Sequence, residues 1–141
     1  MAIGQDVRTF LLSKSSFTSV VGTRLYAGTL PQRVTTAPFV IYSIVSQNAA
    51  HHLGNGAGFA ETRIQFDVYA ITPEARDSLV EIIRNILQGY SGTMGSSTVS
   101  SVTYKNSIDQ YVQPQDQSDI GNWRNTTDYW FRHDQAVPTH A

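Results

Sequence analysis

The feature that most constrains this sequence is a strand running almost directly into a fully capped helix. Thr72 is a good N-cap, Pro73 suits the first helical position and Glu74 favours the positive helix end. Ala75, Leu79, Ile82, Ile83, Ile86 and Leu87 recur at helical spacing, and Gly89 ends the stripe as a C-cap glycine. Upstream, Ile64, Phe66 and Val68 alternate with Arg63, Gln65 and Asp67, the pattern of a strand over 61–71 with one face in the core and one in water. The connection at Ile71 is so short that helix 73–88 must lay its stripe back on the sheet. Helix-on-sheet layering follows from this segment alone.

The other segments fit that frame. Ile3, Val7, Phe10 and Leu11 lie at helical spacing over 3–13, with Leu12 widening the stripe. Ser15 and Ser16 can cap a helical turn holding Phe17, Val20 and Val21, with Gly22 at its C-terminal end. Residues 27–38, with Gly28, Pro31 and Pro38, read as a loop. Phe39 to Val45 is a dense β-branched and aromatic run, a buried strand. The glycine-rich stretch 47–58 reads as a long, mobile hairpin tip. Thr98 to Lys105 is a third strand, 108–122 a second long polar loop, and Trp123 to His133 a final strand in which Trp123, Thr127, Tyr129 and Phe131 share a face. The expectation is an α+β fold: an antiparallel sheet of about four strands, two main helices on one face and a long hairpin loop. One domain spans 1–133, and 134–141 is a flexible C-terminal tail.

Composition narrows the function. At 141 residues and 40% apolar content the chain can bury a core of its own, and the absence of cysteine excludes thiol chemistry, thiolate metal sites and disulfides. The formal net charge is −1 without a basic run, which argues against binding nucleic acid through its phosphates. Asp6 and the lack of a long apolar core set the N-terminus apart from signal peptides, and no apolar stretch approaches the roughly 20 residues that span a bilayer. The expectation is a soluble protein made in the cytoplasm, with no membrane partner and no cofactor.

Each candidate for chemistry lacks a necessary part. His51 and His52 are adjacent, so on a strand they point to opposite faces, and no third metal ligand lies near them in sequence. Gly54, Gly56 and Gly58 resemble a phosphate loop, but a strand follows them rather than a helix N-terminus, and no lysine completes the motif. Ser96, Ser97, Ser100 and Ser101 have no glycine-flanked elbow, and Asp67, Asp109, Asp116, Asp119 and Asp128 have no spacing that demands pairing. The reading is therefore of a protein without catalytic or metal residues. The aromatics say more: Tyr129, Trp130 and Phe131 put rings on both sheet faces. Trp130 thus belongs either to a protein-contact patch or beneath the tail or the 108–122 loop.

The order of segments resembles the tail completion, or tail terminator, family of long-tailed bacteriophages. The resemblance is carried by Val21-Gly22-Thr23-Arg24-Leu25-Tyr26, Gly28-Thr29-Leu30-Pro31-Gln32, Ala37-Pro38-Phe39-Val40-Ile41-Tyr42 and Arg63-Ile64-Gln65-Phe66-Asp67-Val68-Tyr69-Ala70. It continues through the helix after Thr72 to Trp123-Arg124 and Asp128-Tyr129-Trp130-Phe131, covering about residues 5 to 133. The resemblance implies a structural virion protein with no catalytic residues. It implies a ring, typically a hexamer, that caps the tail tube, meets the head-side connector and passes DNA through its lumen without specific binding; related rings occur in prophages and gene transfer agents. Such a protein assembles in the host bacterial cytoplasm and resides in the neck of the virion. On that reading His51, His52 and Asn55 at the hairpin tip, Tyr111 and Gln113 in the second loop, and Trp130 are the expected contact residues. The alternatives are another neck protein, a head-closure or adaptor subunit, or a small-ligand binding domain using the two histidines and nearby carboxylates.

Overall fold

The computed structural model describes residues 3–28, 37–52, 55–112 and 122–134. Two helices open the chain, α1 (Ile3–Leu12) and α2 (Ser15–Val21), followed by the short strand β1 (Leu25–Ala27). A long hairpin, β2 (Phe39–His52) and β3 (Asn55–Ala70), leads into α3 (Pro73–Leu87). The short β4 (Gly92–Met94) precedes a second pair of long strands, β5 (Ser97–Val112) and β6 (Asn122–Asp134). The six strands form one curled sheet in the order β1-β2-β3-β6-β5-β4.

The capped helix forms as its residues require. The Thr72 hydroxyl accepts from the Ala75 amide at 3.1 Å, Pro73 takes the first turn, and Gly89 follows the last turn at φ +77°. Leu79, Ile83 and Leu87 are buried as the stripe demands, but Ala75 is exposed and Arg76 is buried beside it. Arg76 lies on the sheet side through its aliphatic stem, with its guanidinium 5.7 Å from the Trp123 ring and 3.0 Å from Asp77.

One core joins all three helices to one sheet face. Val7, Leu11, Phe17 and Val21 from α1 and α2 meet Leu79, Ile83 and Leu87 from α3 over Val40, Ile64, Phe66, Val68, Tyr129 and Phe131. Phe66 and Tyr129 meet edge to face at 5.8 Å. Gly4 lets α1 approach β2 closely, since a Cβ there would lie 3.3 Å from the Ile44 side chain. Asp6 is wholly buried yet satisfied: it accepts from the Ser96 amide at 3.2 Å and from the Ser96 and Ser97 hydroxyls, tying α1 to the turn before β5. Gly95 makes room for that carboxylate, since a Cβ there would lie 2.5 Å from Asp6 Oδ1.

The sheet corrects the sequence-based expectation of about four antiparallel strands with two main helices and a long hairpin loop. There are six strands among the described residues, and the sheet is mixed because β1 runs parallel to β2. With three residues each, β1 and β4 are too short to show a period. The two expected loops fail for another reason. Gln47 pairs with Thr62, Asn48 with Glu61 and His52 with Asn55, so most of 47–58 is ladder; likewise β5 runs on to Val112, opposite Asn122. Where a hairpin leaves the core neither face need be apolar, so alternation fades while backbone pairing persists. Of the expected second loop, 113–121 lies outside the described residues, and of the expected tail only Asp134 lies within them, at the end of β6.

Candidate interaction surface

The sheet face turned away from the helices is built from the intervening residues of the same strands. Glu61, Arg63, Gln65, Asp67 and Tyr69 of β3 lie beside Arg132, Trp130, Asp128, Thr126 and Arg124 of β6, in that register. Charges pair directly or one step along the diagonal. Arg132 lies 3.6 Å from Glu61, directly opposite. Arg63 bridges diagonally to Asp128, and Arg124 reaches diagonally to Asp67 at 3.1 Å. Thr126 donates a further hydrogen bond to Asp67 at 2.6 Å. Asp67 and Asp128 are themselves buried, beneath arginines that remain partly exposed. Phe39 and Tyr69 stack at 4.8 Å at one end, with Arg124 over the Tyr69 ring; Arg132 covers Phe59 at the other. Burial raises the Tyr69 phenol above its ordinary value, with Arg124 opposing and Asp67 adding.

The six expected contact residues are not one cluster. Trp130 lies on this face, in a groove of about 300 Å³ with Glu61, Ser101, Thr103, Lys105 and Arg132. Tyr111 lies on the helix side of the sheet, with its ring 4.8 Å from Trp123. His51 and His52 end β2 and Asn55 begins β3, at the opposite end of the sheet from Tyr111. Gln113 lies outside the described residues. Sequence reading missed Arg76, which joins α3 to the β5–β6 arm through Trp123 and through Asp109 at 3.6 Å. It also missed the ion-pair ladder, whose partners stand 57 to 71 positions apart and meet only once strand register is known. Alternation of charge along β3 and β6 was the available signal.

Among the described residues no group of three or more histidines, aspartates or glutamates could hold a metal ion. His133 is buried in a chain of hydrogen bonds: its Nδ1–H donates to the Asp134 carbonyl, and Nε2 lies 2.7 Å from the Thr62 hydroxyl, which accepts from Gln47. A second hollow of about 480 Å³ is lined by Glu81, Arg84, Asn85, Gln88 and Gly89, and Arg84 there is bonded to Gln88 and paired with Glu81. No helix among the described residues is long and apolar enough to cross a membrane.

The sheet's outer margins form a second kind of surface. β1 covers only Val40 to Tyr42 of β2, and β4 covers only Ser97 to Val99 of β5. Beyond those points no further strand pairs with either margin among the described residues, although the Gly89 amide bonds the Val102 carbonyl at 2.9 Å, so the open length of β5 begins after Val102. Of the six exposed large hydrophobic residues among those described, four sit on these two strands: Ile44 and Val45 on β2, Ile108 and Tyr111 on β5.

No protein-family model matches this chain, and no curated protein matches it. Its fold is nevertheless found in a solved assembly described as the virion of a native gene transfer agent particle. One chain of that particle superposes with a TM-score of 0.64, covering 95% of this chain and 92% of the other, at 12% sequence identity. At that identity the likeness is one of fold.

Proposed function

We propose that this chain is a structural virion protein: a tail terminator subunit whose ring caps the tail tube and joins it to the head-side connector. The observation that carries the reading is the fold likeness to a chain of a gene transfer agent virion over nearly the full length of both. The segment order that resembles tail terminators supports the finer assignment. The surface agrees with it, because arginines on the open sheet face are matched by carboxylates and the formal net charge is −1. A subunit so balanced can line a channel for DNA without gripping the phosphates. The far end of the β2–β3 hairpin and the β5–β6 arm are the proposed contacts with tube and connector.

Light scattering after size exclusion, with negative-stain images, tests the reading on the purified chain alone and with tail tubes. Rings, free or at tube ends, are expected. A chain that stays monomeric and binds no tube end overturns it, and binding to the connector without binding to tube ends assigns the chain to the adaptor position instead.

A further inference from the structure

We infer that copies of this chain join edge to edge, the free margin of β2 in one copy pairing antiparallel with the free margin of β5 in the next. The inference rests on the self-assembling reading above and names its interface. Among the described residues both margins carry little of the usual protection of sheet edges. From Phe39 to His52 there is no proline, lysine, arginine or carboxylate, and from Ser97 to Val112 the only charges are Lys105 and Asp109. Natural edges are normally blunted by charge, proline or cover, because unpaired backbone groups recruit other strands. Each strand also carries two register shifts, between Ile44 and Ser46 and between Ala49 and His51 on β2, and between Val99 and Ser101 and between Tyr104 and Asn106 on β5; such bulges twist an edge without covering it. The two exposed apolar residues on each margin supply cross-strand contacts, and the near-absence of charge on β2 leaves nothing to repel Lys105 or Asp109 of a neighbour.

The topology selects the occupant and its direction. β2 and β5 lie on opposite sides of the sheet and run in opposite senses, since each step β2-β3-β6-β5 is antiparallel. A neighbour related by rotation about an axis roughly along the strands therefore offers β5 antiparallel to β2, a head-to-tail contact that repeats around a ring. β1 and β4 act as stops. β1 blocks the start of β2 and β4 blocks the start of β5, so the free lengths meet with a stagger, which a closed ring accommodates by tilting its strands.

Area argues for closure over a dimer. A margin of about ten residues is ~33 Å long and, at ~10 Å of depth, covers ~330 Å², under half of the ~800 Å² per partner of a standard stable interface. A copy in a closed ring uses both margins at once, so the ring holds where an isolated pair does not.

Val45 and Ile108 are 47% and 48% exposed, so charge at either leaves the core intact. Val45→Lys and Ile108→Lys should each lower the assembled fraction at least tenfold at concentrations where the wild type forms rings. Mixing the two variants at high concentration should restore one-to-one dimers and nothing larger, because one good margin remains on each. Hydrogen exchange on the wild type should show amides of 43–48 and 103–111 gaining protection on assembly. Rings that persist in both variants, or assembly without protection at those amides, overturn edge pairing and leave the ring reading standing. A wild type that never assembles, even with tail tubes, overturns both.

Discussion

Ile64, Phe66 and Val68 of β3 face the helices and are almost wholly buried, while Arg63, Gln65 and Asp67, each one residue away, face the other side of the same sheet. The helix side is held by apolar burial, worth roughly 1.5–3 kcal/mol for each large side chain. The open side is held by paired charges, which cost desolvation before they return anything and whose exposed members contribute under ~1 kcal/mol. Alternate residues of one strand therefore do different work. One set fixes the fold; the other fixes what the sheet face presents to its surroundings.

The comparison breaks most visibly at Phe66. Phe66→Ala should cost ~3–5 kcal/mol, because it removes a buried ring and its edge contact with Tyr129; urea unfolding measures this as a lower midpoint, and a loss under ~1 kcal/mol would show that the helix side is not the core. The next effect belongs to the open face. Asp128→Ala strands Arg63 without its carboxylate, but that guanidinium is partly exposed and can hydrate, so ~1–3 kcal/mol is expected rather than the full penalty of a buried charge. A double-mutant cycle with Arg63→Ala should return a coupling of ~0.5 kcal/mol or more, and none if the pair is only a surface contact.

That division also explains what was legible in the sequence. The capped helix, the stripe Leu79-Ile83-Leu87 and the inward residues of β3 and β6 could be read directly, since each is a local period or a cap. Arg76 could not, because its burial depends on Trp123, 47 positions away, lying beneath it. The partners of Asp67 and Asp128 could not either, since a diagonal pair needs the register of two strands. Gln47 and Asn48 read as loop because polarity marks an exposed side chain, whereas the backbone of an exposed ladder is as well paired as a buried one. The position of Trp130 on the face away from the helices could be read too, since neighbouring rings on a strand must occupy both faces.

Smaller effects sharpen the contrast. Arg132→Gln breaks the pair with Glu61, in which both side chains are about half exposed, so unfolding stability should change by under ~1 kcal/mol and should do so less in high salt. A larger, salt-insensitive loss would mean that Arg132 acts through its stem over Phe59.

The smallest change at neutral pH should come from the most buried phenol. Tyr129 is fully buried, and its hydroxyl has no hydrogen-bond partner among the described residues. Removing that oxygen alone deletes an unsatisfied polar atom and leaves the ring packing in place, so Tyr129→Phe should alter stability at pH 7 by under ~0.5 kcal/mol in either direction. Burial, with Tyr104 adding and Arg84 opposing, holds the Tyr129 proton well above the usual phenol range. A folded-state value raised above the unfolded one contributes stability in full below the unfolded value, near pH 10, and loses it as pH rises toward the folded value. Wild-type stability should therefore fall above pH 10, and Tyr129→Phe should flatten part of that fall. Tyr69 is raised as well and lies on the open face, so Tyr69→Phe is the matched control there; its weaker burial and the nearby Arg124 predict a smaller flattening. Equal slopes for the two variants would show that the faces do not differ in how strongly they exclude charge.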